Sequence, residues 1–180
     1  MSDKRAIGVF DSGLGGLTVV RELVKKMPNE DIIYFGDTGR VPYGSRSFNI
    51  IKRYAREDES FLLKHDVKLI VAACGTVSSV AADVSKSLPV PFFEVVSHAA
   101  SAAVKATSNN KIGVIGTAVT IKSQKHKEYI LKMDPTAEIY SCSCPLFVPL
   151  VEEGWYSADD SVVIGTVERY LSPIKNAGVD

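Results

Sequence analysis

Short apolar runs alternate with amphipathic segments along almost the whole chain, and this alternation narrows the available folds more than any other feature. Residues 6–10 and 31–35 read as strands. Between them, residues 15–27 read as a helix with Leu17, Val20, Leu23 and Val24 on one face. A polar loop at 36–47 leads to a helix around 50–64. Residues 67–73 are apolar throughout, the pattern of a strand buried on both faces of a parallel sheet. A helix at 77–88, a strand at 92–96 and a helix at 98–107 follow. The pattern restarts with a strand at 111–115, a helix at 120–133, a strand at 138–141, a short segment at 148–153 and a helix at 159–175. Such alternation specifies an α/β protein of mainly parallel sheets flanked by helices. Ligands in these sheets bind beyond the carboxyl ends of the strands. The residues that follow each strand are therefore where chemistry is expected.

The two halves resemble each other. Ile7-Gly8-Val9-Phe10 and Ile112-Gly113-Val114-Ile115 each open a strand–turn–helix unit, offset by 105 residues. Cys74 lies 67 residues beyond Ile7, and the same step from Ile112 reaches position 179. Residues 176–180 read as a helix stop and a strand entry, much as His65-Asp66-Val67 precede the Cys74 strand. The predicted division is a first α/β domain at 1–96, lacking a C-terminal return segment, and a second at 97–180 that stops in mid-domain.

Composition removes several function classes. The 180 residues carry 21 basic and 21 acidic side chains, so no net charge favours nucleic acid or an anionic membrane. Charges occupy the N-terminal stretch where a secretory signal needs an apolar core. No apolar run approaches the ~20 residues that span a bilayer. Three cysteines, an odd number, fit reduced thiols and a cytoplasmic location.

Two Asp-Ser/Thr-Gly triplets, Asp11-Ser12-Gly13 and Asp37-Thr38-Gly39, follow the first two strands. A pair of aspartic-protease carboxylates is one reading. Those enzymes are all-β, however, and carry the motifs in separate lobes rather than 26 residues apart. Each aspartate can equally be a turn residue capping a helix. The stretch Gly13-Leu14-Gly15-Gly16 imitates a dinucleotide fingerprint, but Thr18 stands where the third glycine belongs. Cys74 ends an apolar strand and precedes Gly75-Thr76 at a helix start. Helix-start geometry predicts a thiol pKa below the ~8.5 of a free cysteine and hence a reactive thiolate; a buried, inert cysteine is the alternative. Cys142 and Cys144 have no second ligand pair for zinc and read as structural. His65, His98 and His126 read as surface or helix-end residues, and Trp155-Tyr156 as core or interface packing.

Five motifs, IGVFDSGLGGLTVVRE, YFGDTGRVPYG, IVAACGT, IGVIGTAVTIKS and CPLFVPLVEEG, occur here in one order. In that order and spacing the chain resembles the bacterial glutamate racemases over residues 6–180. The resemblance implies two facing α/β domains with glutamate between them. One cysteine from each domain flanks the substrate α-carbon, and no metal or organic cofactor takes part. It implies Cys74 as the first thiol, with Asp11 assisting it. Asp11, Ser12, Tyr43, Gly44, Gly75 and Thr76 fall at substrate-binding positions, Thr117 and Thr120 lie near the substrate carboxylates, and Glu152 supports the side of the second thiol. It also implies D-glutamate supply for peptidoglycan and a homodimer. The family usually has asparagine where this chain has Gly75, which removes a hydrogen bond worth ~1.5–3 kcal/mol to a charged partner. The second Cys-Thr-His motif would fall beyond Asp180, so a chain ending there is expected to be silent as a racemase. Rival expectations are a hydantoin or other amino-acid racemase, and a non-catalytic module that holds glutamate or a partner.

Overall fold

The computed structural model describes residues 3–180, in two compact units that divide at Val95/Val96. The first unit is built on a four-stranded parallel sheet. Its strands are β1 (Ile7–Asp11), β2 (Ile32–Gly36), β3 (Leu69–Ala72) and β4 (Phe92–Glu94), in the order β2-β1-β3-β4. The connections are α1 (Leu17–Lys26), α2 (Phe48–Leu63) and α3 (Gly75–Val80). β1 lies between two partners and is buried at every residue, which explains its unbroken apolar run. The stripe of α2 that meets the sheet carries Ile51, Ala55 and Leu62, all fully buried.

The second unit begins with α4 (Val95–Ala106), whose first residue belongs to the first unit. It continues through β5 (Lys111–Gly116), α5 (Ala118–Ser123), α6 (Lys125–Met133), β6 (Glu138–Ser143), α7 (Phe147–Glu152) and α8 (Ser161–Asn176). β5 and β6 pair in parallel. Ile112 and Val114 point from β5 into a core with Ala100, Ile130 and Ala137.

The α/β class and the parallel strand pairing agree with the sequence reading, and several details differ. The helix expected at 77–88 stops at Val80, and a 3-10 turn occupies Val84–Ser87. There the Ser85 hydroxyl bonds to the Glu59 carboxylate and draws the chain back to α2. The helix expected at 120–133 is two helices, because Gln124 adopts a left-handed conformation (φ 59°) and ends α5. The apolar face of α1 is largely open, with Leu17 46% and Val24 53% exposed. Trp155 and Tyr156 are 51% and 74% exposed, so they are not core residues. Trp155 follows the left-handed turn at Gly154, which carries it outward.

The internal repeat is real, but its spacing shifts along the chain. A side chain on Gly8 would meet Val67 and Leu62, and one on Gly113 would meet Val179 and Ile174. Lys68 N–H donates to Ala6 O, and Asp180 N–H donates to Lys111 O. Gly8 and Gly113 keep the offset of 105, whereas these helix and strand-entry partners are separated by 112. Position 179 is therefore the counterpart of Val67 rather than of Cys74.

Candidate functional site

Parallel pairing brings the ends of β1, β2 and β3 to one edge. Asp37 N–H donates to Asp11 O at 2.9 Å, and Ala73 N–H donates to Phe10 O at 2.8 Å. Asp11, Asp37 and Cys74 thus emerge side by side, as the strand-end rule requires. After Asp11 the chain turns sharply through Gly13-Leu14-Gly15-Gly16. Gly16 N–H donates to Asp11 Oδ2 at 2.8 Å, and the Tyr34 hydroxyl donates to Gly13 O at 2.6 Å. A Cβ on Gly16 would lie 2.7 Å from Asp11 Cβ and 3.1 Å from Ala73 Cβ. The glycine at this position is thus a close-approach requirement. It lets the turn fold under the aspartate, whose Oδ2 takes the Gly16 N–H.

Cys74 is only 4% exposed and is the N-cap of α3, where its sulfur accepts Val77 N–H at 3.5 Å. Its Sγ–H reaches Ser12 Oγ at 3.4 Å. The thiol differs from expectation. Burial, and next the Asp11 carboxylate, push it up to about 12, while hydrogen bonds from Ser12 and Val77 pull the other way. Three turns of stabilising dipole do not exist here, since α3 has only 6 residues. Desolvation and a like charge outweigh its N-terminus. At neutral pH Cys74 is therefore a thiol.

Of the other expected residues, Thr76 is buried in the first turn of α3. Gly75 is the first residue of that helix, and a Cβ there meets nothing within 4 Å. Tyr43 and Gly44 open a 3-10 turn, Tyr43–Ser45, that lies beside α3. The Tyr43 ring is 1% exposed, and its hydroxyl is bonded to Asp37 and Asp58. The Tyr43 side chain therefore faces inward, and Tyr43 and Gly44 can meet a ligand only through their backbone.

In the second unit Thr117 caps α5 just beyond the end of β5. Its Oγ1 accepts Thr120 N–H at 3.2 Å and lies 3.0 Å from Thr120 Oγ1. Glu152 is the last residue of α7 and is half-buried. Cys142 Sγ–H donates to Tyr170 O at 3.3 Å and Cys144 is buried, in line with structural roles. Among the described residues no cluster of His, Cys, Asp and Glu could hold a metal ion, and no helix is long and apolar enough to cross a membrane.

Sequence reasoning missed the acidic network behind Tyr43. Arg40 pairs with Asp37, Glu57 and Asp58 at once. The signal was present: Asp58 and Glu59 stand among the apolar residues of α2 that face the sheet, and both are buried. A carboxylate in that place must be hydrogen-bonded or protonated.

The fold and this edge define a parallel α/β protein with a buried thiol acid set beside a carboxylate and a hydroxyl. No protein-family model matches the chain. It is 46% identical over 177 residues to the glutamate racemase of Geobacter metallireducens, covering 98% of this chain and 65% of that protein. With the glutamate racemase of Sulfurihydrogenibium sp. it shares 49% identity over 176 residues, covering 97% and 67%. The crystal structure of glutamate racemase from Francisella tularensis in complex with D-glutamate superposes with a TM-score of 0.91 at 40% identity. That match covers 99% of this chain and 66% of the other. The chain belongs to the glutamate racemase family and spans about two thirds of the length of these relatives.

Proposed function

We propose that this chain supplies one of the two acid–base thiols of a glutamate racemase, which interconverts L- and D-glutamate for peptidoglycan. The observation that carries this reading is Cys74, buried and hydrogen-bonded to Ser12 at the strand edge beside Asp11. The Francisella relative binds D-glutamate, and that ligand is taken as the substrate here.

The resting thiol is protonated, so Cys74 is poised to deliver a proton to the α-carbon. To remove one it must become a thiolate. The α-ammonium of a bound amino acid, set against Asp11, offsets the negative charge that now opposes ionisation. Substrate binding itself then shifts the thiol toward its basic form. The carbanion that follows needs donors fixed on the substrate carboxylate. Ser12 Oγ, Thr76 and the backbone of Tyr43-Gly44 are assigned that task, Thr117 and Thr120 are assigned to the substrate carboxylates as well, and Glu152 is assigned to the side of the second thiol. A single thiol can only take and return the proton on one face. Inversion needs an acid on the opposite face, supplied by a second cysteine. No metal or organic cofactor is assigned a step, and the enzyme is taken to act as a cytoplasmic homodimer.

The test is α-proton exchange of L- and D-glutamate in D2O, read by NMR, beside circular-dichroism assay of optical inversion. Cys74 chemistry gives deuterium entry into one enantiomer, and two thiols give inversion as well. Deuterium entering neither enantiomer would refute the proposal.

A further inference from the structure

The loop between β2 and α2 is tied down by a buried polar network whose purpose the fold alone does not explain. The Tyr43 hydroxyl reaches Asp37, at the end of β2, and Asp58 Oδ2 at 3.0 Å, on α2. Arg40 Nη2 donates to Asp58 Oδ1 at 2.8 Å, and its Nε donates to Asp37 Oδ2. The Arg40 guanidinium also lies 4.1 Å from the centre of the Tyr54 ring, which in turn packs against the Tyr43 ring at 5.1 Å. Asp58 and Tyr43 are almost fully buried. Such a network is a costly way to close a loop, since an apolar contact would avoid the desolvation of two carboxylates. What it provides is direction: hydrogen bonds fix a ring in one place, whereas apolar packing tolerates sliding.

We propose that Asp58 and Arg40 are positioning residues, which act through the Tyr43 hydroxyl to hold the Tyr43-Gly44 backbone at a fixed place beside α3, the helix that Cys74 caps. The inference rests on the racemase reading, because it makes that backbone part of the substrate cradle. A phenol has one proton and cannot donate to two carboxylates. Asp58 eases this by holding a proton more readily than a free carboxyl does: burial, and the nearby Asp37 charge, raise it to about 7 despite its bond with Tyr43. The Tyr43 hydroxyl thus sits between the two carboxylates, and Arg40 donates to both of them, closing the ring of bonds.

The experiment compares Tyr43→Phe, Arg40→Gln and Asp58→Asn in α-proton exchange of glutamate and in amide hydrogen exchange of Gly44 and Ser45. Tyr43→Phe removes one oxygen and nothing else, so it tests the anchor with the least risk to folding. Arg40 is part-exposed, and Arg40→Gln supplies a second test at the open end of the network. Both variants are expected to raise KM roughly tenfold, about the worth of one hydrogen bond, with kcat little changed. Both should also speed amide exchange at Gly44 and Ser45. Asn at position 58 can accept from Arg40 and donate to Tyr43, as the protonated acid does, and is expected to restore wild-type KM and exchange. If Tyr43→Phe and Arg40→Gln lower thermal stability but leave KM and loop exchange at wild-type values, the network is only structural and the proposal fails. Amide exchange needs no substrate, so a wild-type protein inert toward glutamate sinks the racemase reading alone. Exchange at Gly44 and Ser45 then decides the anchor by itself.

Discussion

The two units start from one plan and use it differently. In the first, β1 is a central strand, paired with β2 and β3 and buried at every residue. In the second, β5 pairs with β6 and alternates, with Ile112 and Val114 inside and Ile115 outside. The glycine contacts coincide nonetheless. Gly8 receives Val67 and Leu62, and Gly113 receives Val179 and Ile174. What the repeat preserves is the close packing of a helix and a strand entry on the first strand. What it changes is the polar chemistry at the strand ends. The first unit places Asp11, Ser12 and Cys74 there, and the second places a pair of threonines. A shared scaffold with different strand-end residues is how one fold carries different chemistries.

The largest difference to be expected is between the thiols. Cys74→Ser should lower α-proton exchange by roughly 10²–10⁴-fold, the usual range for a general acid–base group, while Cys142→Ser should leave it within twofold. Serine caps helices well, so Cys74→Ser should keep the melting temperature, and a lost fold would undo this contrast. In the free protein, alkylation should run opposite to simple helix-start reasoning. Cys142, the least buried of the three, should label before Cys74 and Cys144, whose thiols burial pushes up to about 12 and about 11. Mass mapping of the modified peptides decides the order.

Next come the packing residues. Leu62→Ala should cost ~2–5 kcal/mol in urea titration, as for a fully buried leucine, and Ile174→Ala should cost less because Ile174 keeps some exposure. Equal costs would mean that the second core is as tightly closed as the first. The glycines should reverse that ranking. Gly113→Ala puts a methyl 2.8 Å from Ile174 Cγ2, an overpacking of ~1–3 kcal/mol. Gly8→Ala meets Val67 and Leu62 only at 3.2–3.3 Å and should cost less. A smaller effect is expected at the caps: Thr117→Ala should cost ~1 kcal/mol through loss of its bond from Thr120 N–H.

A slope with pH is expected as well, confined to the first unit. Asp58 is raised from 3.8 to about 7 in the folded chain, so the fold binds the extra proton between those values. Stability from this group is fully present below pH 3.8 and falls as pH rises through about 7. Asp58→Asn should flatten that fall in melting experiments from pH 4 to 8. Part of the slope should remain, because burial also raises Glu59. An unchanged slope would place the proton elsewhere.

The sequence by itself determined the α/β class, the parallel strands and the gathering of Asp11, Asp37 and Cys74 at one edge. All three follow from hydrophobic period and from the rule that polar residues leave a parallel sheet at its carboxyl ends. Motif order also marked the family, because five separated stretches agree. Tertiary structure decided the rest, since each remaining feature depends on groups distant in the chain. The Cys74 thiol is raised because packing buries it beside Asp11, 63 residues earlier, against a helix too short to offset either effect. The Tyr43 hydroxyl faces inward because Asp58, on the next helix, meets it there. The repeat changes its offset from 105 to 112 because contacts of Gly8 and Gly113, rather than residue counting, set the alignment. Local pattern fixes which elements form and which way they run. Burial and charge, which set a pKa or an anchor, exist only once those elements have met.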